Sequence, residues 1–170
     1  MKEQKNVEIE RKYIIKKPDV LALSTREEYT ESEIVQIYLP SEKGETRRVR
    51  RRVYPDKTIC TETRKIRIDN MSSTEIEREI STTEFDELSR NIKEGTSPIV
   101  KIRHTFLFCG QLFEIDVYPQ WKHTAIMETE LESREKQVKM PDFIKIICEV
   151  TGDKAYSNAG MSRKFPKELV

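Results

Sequence analysis

Apolar and polar residues alternate with a period of two along most of this chain. Eight segments show the alternation, and each is rich in β-branched or aromatic residues, which is typical of strands with one buried face. The predicted strands lie at residues 7–15, 34–39, 46–53, 57–68, 73–80, 99–108, 111–118 and 124–131. Cys109 and Gly110 separate two of them and predict a tight hairpin turn, because glycine adopts positive φ at little cost.

Two segments have a helical period instead. Ser81 and Glu84 have the spacing of a capping box, and the segment that follows predicts a helix over residues 83–93. A second helix is predicted over residues 141–150, where Phe143, Ile144, Ile147 and Val150 form an apolar stripe. We expect both helices to pack outside the sheet.

The composition indicates one domain with an unusual interior. Of the 170 residues, 36% are hydrophobic and 36% are charged, so many charges need a place that a conventional apolar core does not offer. We predict a single domain over residues 1–170. Eight strands suffice to close a barrel, so the predicted fold is mainly β (α+β): a closed eight-stranded antiparallel β-barrel, or tunnel, with a few helices packed outside.

Net charge, cysteine spacing and the length of apolar runs indicate which binding partners and which cellular compartment to expect. The 31 basic and 30 acidic residues nearly cancel, which argues against a nucleic-acid-binding protein. The three cysteines lack the spacing of a zinc site or a disulfide framework, so we expect a reducing, cytoplasmic compartment. No apolar run approaches the roughly 20 residues of a membrane span, so we expect no membrane partner.

Charged residues recur in pairs on single strand faces. Glu8, Glu10 and Lys12 share one face of the first predicted strand. For one such strand alone, a face turned to solvent is the simplest interpretation. The arrangement recurs, however, in the carboxylate pairs Glu75 with Glu77, Glu114 with Asp116, and Glu128 with Glu130, and in the basic pairs Arg48 with Arg50, and Lys101 with Arg103.

If these faces point inward, the barrel has an ionic interior. Such an interior is costly to desolvate unless water, metal and a polyanionic ligand fill it. Clustered carboxylate oxygens suit Mg²⁺ or Mn²⁺, and arginine and lysine suit phosphate oxygens. The pattern therefore predicts a tunnel that binds a triphosphate together with a divalent metal.

Taken in order, the charged segments and one uncharged segment at residues 36–38 resemble the CYTH family of triphosphate tunnel metalloenzymes. The segments are Glu8-Ile9-Glu10-Arg11-Lys12, Gln36-Ile37-Tyr38, Arg48-Val49-Arg50, Glu75-Ile76-Glu77, Lys101-Ile102-Arg103, Glu114-Ile115-Asp116-Val117 and Glu128-Thr129-Glu130. The tail at residues 150–158 also resembles the closing motif of the family. Each segment is unspecific alone, whereas the ordered set spans nearly the whole chain.

The resemblance implies a divalent-metal-dependent triphosphatase that uses Mg²⁺ or Mn²⁺ and most simply hydrolyses inorganic tripolyphosphate to diphosphate and phosphate. The implied metal ligands are Glu8, Glu10, Asp116, Glu128 and Glu130. The implied substrate-binding residues are Lys12, Arg48, Arg50, Lys65, Lys101 and Arg103. The implied catalytic residues are Glu8, Glu10, Lys12 and Glu77. The implied partner is a small polyphosphate, and a homodimer is possible.

One segment departs from the family pattern when its strand register is assigned from the sequence. The family strand ends in Thr-x-Lys, and simple register puts Thr63 where the lysine would be. Lys65 shares the strand face of Thr63, whereas Arg64 points outward unless a bulge shifts the register. We expect Lys65 to replace the family lysine, with Arg64 as the alternative.

Three other functions stay open. A class IV adenylyl cyclase or a thiamine triphosphatase needs a place for an aromatic group, and no aromatic cluster near the lumen is evident from the sequence. A polyphosphate- or nucleotide-binding module without turnover would follow if the departure at Thr63 disabled the chemistry.

His104 lies on the strand face opposite to that of Arg103, and we expect a structural or surface role for it.

Overall fold

Nine antiparallel β-strands form one sheet in the computed structural model, which describes residues 4–169. The strands are β1 (Gln4–Lys16), β2 (Glu27–Leu39), β3 (Glu45–Val53), β4 (Thr58–Arg67), β5 (Ser72–Ile80), β6 (Ile99–Phe108), β7 (Gln111–Val117), β8 (Thr124–Glu130) and β9 (Ile146–Glu149). They are hydrogen bonded in the order β5-β4-β3-β2-β6-β7-β8-β1-β9, and the amino-terminal half of β1 also pairs with β5. This last pairing closes β1 to β8 into a barrel.

The eight predicted strands and the predicted barrel are confirmed. The largest difference is that β2 begins at Glu27, seven residues before the predicted start. Its early part contains a bulge, where Glu28 has a φ of 49° and the register against β6 shifts between Glu27 and Thr30. A bulge breaks the two-residue period, so the alternation did not reveal this part of the strand. Cys109 and Gly110 have φ values of 50° and 75° and form the predicted hairpin turn.

The helix predicted at residues 141–150 is wrong. Residues 146–149 form β9, which pairs with Tyr13 to Ile15 of β1 on the edge that β5 leaves free. Without β9, that part of β1 would expose unpaired backbone N–H and C=O groups. The apolar residues of so short a segment fit either period, so the available strand edge decided the structure.

Within residues 4–169, three α-helices lie around the barrel: α1 (Val20–Ser24), α2 (Thr82–Ser89) and α3 (Asn158–Arg163). The capping spacing before α2 is confirmed, because Glu84 N donates to Ser81 Oγ at 3.0 Å. α2 packs on the outer wall through Phe85, as predicted. α1, which was not predicted, packs there through Leu23, whereas α3 lies at one end of the barrel. No helix in residues 4–169 has the length and apolar character needed to cross a membrane.

The apolar cores lie outside the barrel wall and at one end of the barrel. One outer cluster is built around Phe106 and Phe113, and another packs beneath α2. A third cluster, the end plug, closes one end of the barrel; its members include Ile14, Tyr38, Ile99, Tyr118, Trp121, Ile126 and Met161, with Tyr156 and Phe165 packed against them. Because the outer strand faces carry the apolar residues, the inner faces carry the polar ones.

Candidate active site

The inner face of the barrel brings the predicted site residues together. Lys12 lies opposite Glu128 in the strand register, and Arg103 lies opposite Asp116. Directly opposed residues on antiparallel strands share a face, so each pair points into the lumen. Ion pairs and charge interactions connect the whole predicted set, which is Glu8, Glu10, Lys12, Arg48, Arg50, Lys65, Glu77, Lys101, Arg103, Asp116, Glu128 and Glu130.

The strands β3 and β6 form a positively charged wall. Arg50 has Glu77 as its nearest carboxylate, and the two are 3.7 Å apart. Burial, together with the positive charges of Arg48 and Arg103, lowers the pKa of Arg50 to about 10. A cation whose pKa is lowered by neighbouring cations is stabilised when an anion approaches. This wall is therefore suited to bind a polyanion.

The strands β1 and β8 form a negatively charged wall across the lumen. Glu10 lies opposite Glu130 in the register. Burial and the charge of Glu128 raise the pKa of Glu10 to about 7. Burial and a hydrogen bond shared with Glu8 raise the pKa of Glu130 to about 8. These carboxyls hold protons near neutral pH because their negative charges lack sufficient compensation, which is the condition that a bound cation relieves.

The donor chemistry of this wall fits a divalent metal, but the carboxylates are not preassembled around one point. No group of three or more carboxylate, histidine or cysteine side chains within residues 4–169 converges on one metal position. Lysines occupy part of the wall instead. Lys65 Nζ is 2.8 Å from Glu8 Oε2, and Lys12 Nζ is 2.8 Å from Glu128 Oε1. A metal would replace these ammonium groups as the counterion of the carboxylates.

Asp116 is committed to two cations. Arg103 Nε and Nη2 donate to its two carboxylate oxygens at 2.7 and 2.8 Å, and Lys101 Nζ donates at 2.6 Å. All three side chains are buried. Although burial alone would raise the pKa of Asp116, these two cations hold it well below its usual range. Asp116 therefore anchors the cations of β6, and both of its carboxylate oxygens are already hydrogen bonded.

The suspected departure at Thr63 is resolved in favour of Lys65. Lys65 points into the lumen, where it contacts Glu8 and lies 3.3 Å from Glu75 Oε1. Arg64 points outward, and the one carboxylate within 4.0 Å of it among the described residues is that of Glu45. The β3–β4 and β4–β5 registers run without a bulge here. Thr63, Arg64 and Lys65 thus themselves read as Thr-x-Lys, with the lysine inside.

Several lumen residues were not assigned a role from the sequence. Arg52 continues the inward face of Arg48 and Arg50, and its Nε donates to Ser32 Oγ at 2.8 Å. The period-two pattern of β3 could have found it. Asn158 could not be found in this way, because α3 brings its Oδ1 to 3.4 Å from Lys101 Nζ across the end of the barrel.

The structure has an aromatic cluster at one end of the lumen that was not evident from the sequence. Tyr118, Trp121 and Phe165 pack edge to face in the end plug, with ring centroids 5.3 to 5.7 Å apart. Tyr118 and Trp121 are buried, so their faces are not available to stack on a base. The lumen opens at the other end, where Glu79 and Glu130 are exposed.

His104 has the structural environment that we expected. It is buried on the outer side of β6, and its Nδ1 lies 2.8 Å from Tyr29 Oη. Its ring also stacks against that of Tyr29. Burial lowers the pKa of His104, although Glu31 nearby opposes the shift.

This closed antiparallel barrel, whose lumen has one positive and one negative wall, agrees with what the resemblance to the triphosphate tunnel proteins implied. Solved structures agree with this assignment. The inorganic triphosphatase NE1496 aligns with a TM-score of 0.60 and 27% sequence identity, over 94% of this chain and 97% of that one. The chain therefore has the CYTH, or triphosphate tunnel, fold, and the resemblance seen in the sequence is confirmed at the level of the fold.

More distant structures share the fold alone. PH1819 from Pyrococcus horikoshii OT3 aligns with a TM-score of 0.56 and 23% identity over 75% of this chain and 80% of that one. HpAC1 from Hippeastrum, an adenylyl cyclase candidate described as having a dominant triphosphatase activity, aligns with a TM-score of 0.57 and 17% identity over 75% and 81%. No protein-family model matches the chain. No curated protein sequence matches it significantly.

Proposed function

We propose that this protein hydrolyses a linear triphosphate, most simply inorganic tripolyphosphate to diphosphate and phosphate, with Mg²⁺ or Mn²⁺ as cofactor. The observation that carries the proposal is the division of the lumen into a positive wall on β3 and β6 and a negative wall on β1 and β8. A polyanion alone would compensate only the charges of the positive wall, and a metal alone would compensate only those of the negative wall. A metal-bound triphosphate compensates both.

In this proposal the positive wall holds the phosphate chain. Arg48 and Arg50 lie on one strand, and Lys101 and Arg103 lie on another, so phosphate oxygens between them receive charge-assisted hydrogen bonds. Lys12 and Lys65 leave the carboxylates they contact in the free protein and move to the phosphates. Because the cations of β3 and β6 are in place before the reaction, they stabilise the leaving diphosphate with little reorganisation.

The proposed metal ligands are Glu8, Glu10, Glu128 and Glu130. When bound, Mg²⁺ or Mn²⁺ would neutralise phosphate charge and lower the pKa of a coordinated water. Asp116 was included among the ligands on the basis of the sequence. We now assign it to the positive wall, because both its oxygens are bonded to Arg103 and Lys101.

Glu77 is our candidate for the carboxylate that positions the attacking water. Its side chain is 37% exposed toward the open end of the lumen. Thr63 Oγ1 donates to Glu77 Oε2 at 2.8 Å, which fixes the carboxylate. Its ion pair with Arg50, at 3.7 Å, is long, so Glu77 keeps acceptor capacity for a water molecule.

A non-catalytic binding protein is now less favoured than it was from the sequence, because that alternative depended on the lysine missing from the Thr-x-Lys strand. Lys65 supplies this cation. The nucleotide and thiamine alternatives require a stacking surface, and the rings of the end plug are packed against one another. These observations favour a substrate with no aromatic group.

A substrate panel tests the proposal directly. The purified protein is incubated with tripolyphosphate, ATP, thiamine triphosphate or diphosphate, each with Mg²⁺, with Mn²⁺ or with a chelator. We expect phosphate release from tripolyphosphate that requires metal and exceeds release from the other compounds. Cyclic AMP formed from ATP would identify a cyclase instead. Binding of tripolyphosphate without phosphate release in either metal would identify a binding module.

A further inference from the structure

Three buried polar atoms inside the barrel have no hydrogen-bond partner among the described residues. They are Gln36 Oε1, Arg48 Nε and Thr61 Oγ1. Gln36 and Thr61 lie on β2 and β4, and each is opposed in the register to Arg50 on β3, which runs between them. Buried polar atoms are almost always paired, because an unpaired one loses its hydrogen bonds to water without replacement. Three such atoms around one segment of β3 indicate a place where a polar ligand completes the bonding.

The hydrogen bonds of Gln36 show how it can serve a ligand. Its Nε2 donates to Tyr38 Oη at 3.0 Å. In this arrangement Gln36 Oε1 lacks a donor, and within residues 4–169 the hydroxyl proton of Tyr38 has no acceptor. Half a turn of the amide group corrects both, because Tyr38 then donates to Gln36 Oε1. The turn directs Gln36 Nε2 into the lumen as a free donor.

We propose that Gln36 and Thr61 are further substrate-binding residues, which donate hydrogen bonds to phosphate oxygens of a triphosphate held against Arg48 and Arg50. The assignment rests on the proposed function. Phosphate oxygens only accept hydrogen bonds in their ionised form, and the Thr61 hydroxyl, the Gln36 amide and Arg48 Nε are all donors. The two neutral donors add no charge. They fix the position of the chain between the arginines, as a few placed polar groups do in many ligand sites.

Because these atoms have no partner among the described residues, removing one should affect Tm and ligand affinity differently from removing an atom with a structural role. Thr61→Val keeps the shape of the side chain and removes the hydroxyl. Because that hydroxyl has no partner in the free protein, we expect Tm without ligand to rise by about 2–4 °C. We expect the affinity for tripolyphosphate, titrated calorimetrically in the presence of a chelator so that it is not hydrolysed, to fall by about tenfold.

Other variants control for packing. Thr61→Ser restores a hydroxyl and should recover most of the affinity. Thr63→Val is the matched control on the same face of β4, because the Thr63 hydroxyl donates to Glu77 at 2.8 Å; here Tm should fall. Gln36→Met, which has similar length and no amide, should weaken tripolyphosphate binding as Thr61→Val does.

The outcomes separate this assignment from the proposed function. A wild-type protein that neither binds tripolyphosphate in the chelator nor releases phosphate from it with Mg²⁺ or Mn²⁺ overturns both. If the wild type binds it and Thr61→Val and Gln36→Met bind equally well, only the assignment is overturned. A fall in Tm for Thr61→Val, like that of Thr63→Val, would also overturn it, because it would show that the hydroxyl is bonded in the free protein.

Discussion

Alanine at position 65 removes a cation from the lumen, whereas alanine at the adjacent position 64 removes one from the outer surface. Lys65 Nζ is 2.8 Å from Glu8 and 3.3 Å from Glu75, and its side chain is 31% exposed. The Arg64 side chain is 55% exposed and 4.0 Å from its nearest carboxylate, Glu45. The two variants change the net charge of the protein equally. Any difference between them therefore reports the position of the charge.

The expected magnitude follows from the distance at which a lumen cation meets a phosphate. A unit charge pair about 4 Å apart is worth about 4 kcal/mol at an effective dielectric constant of about 20. Only the part that grows from bound substrate to transition state, together with lost binding, enters kcat/KM. We expect Lys65→Ala to lower kcat/KM for tripolyphosphate at least about tenfold, or about 1.4 kcal/mol, and Arg64→Ala to change it less than about twofold.

The assay is phosphate release from tripolyphosphate over a range of substrate concentrations at saturating Mg²⁺. Thermal unfolding of both variants, measured in parallel, shows that each one folds. A larger loss for Arg64→Ala than for Lys65→Ala would contradict the register of β4. Two variants with wild-type kcat/KM would show that β4 supplies no phosphate ligand.

Other perturbations test the two charged walls. Glu10→Gln and Glu130→Gln each remove a charged oxygen at constant volume, so we expect metal-dependent turnover to be lost while the far-ultraviolet circular dichroism is retained; wild-type rates at low and at saturating Mg²⁺ would contradict the metal assignment. Asp116→Asn leaves two buried cations without their shared counterion, so we expect urea denaturation to show a loss of about 3–5 kcal/mol in unfolding free energy, and a loss below about 1 kcal/mol would refute the anchoring role. The pKa values of Glu10 and Glu130, about 7 and about 8, lie above the unfolded value of 4.5, so the folded protein binds more protons than the unfolded chain. Between pH 6.5, above which the lowered pKa of His104 no longer affects stability, and pH 8, near which the lowered pKa of Lys101 begins to oppose the change, metal-free stability should therefore fall as the pH rises. Mg²⁺ should oppose this fall because it favours the ionised carboxylates; a Tm that rises over this interval in a chelator would contradict the raised pKa values.

The barrel could be predicted because its signal is local. A two-residue period places Glu8, Glu10 and Lys12 on one face whatever the rest of the chain does, and eight such segments define eight strands. Which face points inward is not a local property. The sequence favoured the charged face only because the same charge pairs recurred on several strands. The packing shows why this is correct: Phe106, Phe113 and the other apolar residues are covered on the outer wall.

The sequence by itself determined the strands, their inward charges and the resemblance to the triphosphate tunnel proteins. The tertiary structure decided which residues of strands distant in the chain come into contact. The 146–149 segment became β9 because β1 had a free edge, and Asp116 became an anchor because β6 placed Lys101 and Arg103 beside it. The plug at one end and the unpartnered Gln36 and Thr61 also depend on such neighbours. Periodicity fixes the face on which a side chain lies, whereas the closing of the sheet fixes the partners that it meets, and those partners set its charge state and its chemistry.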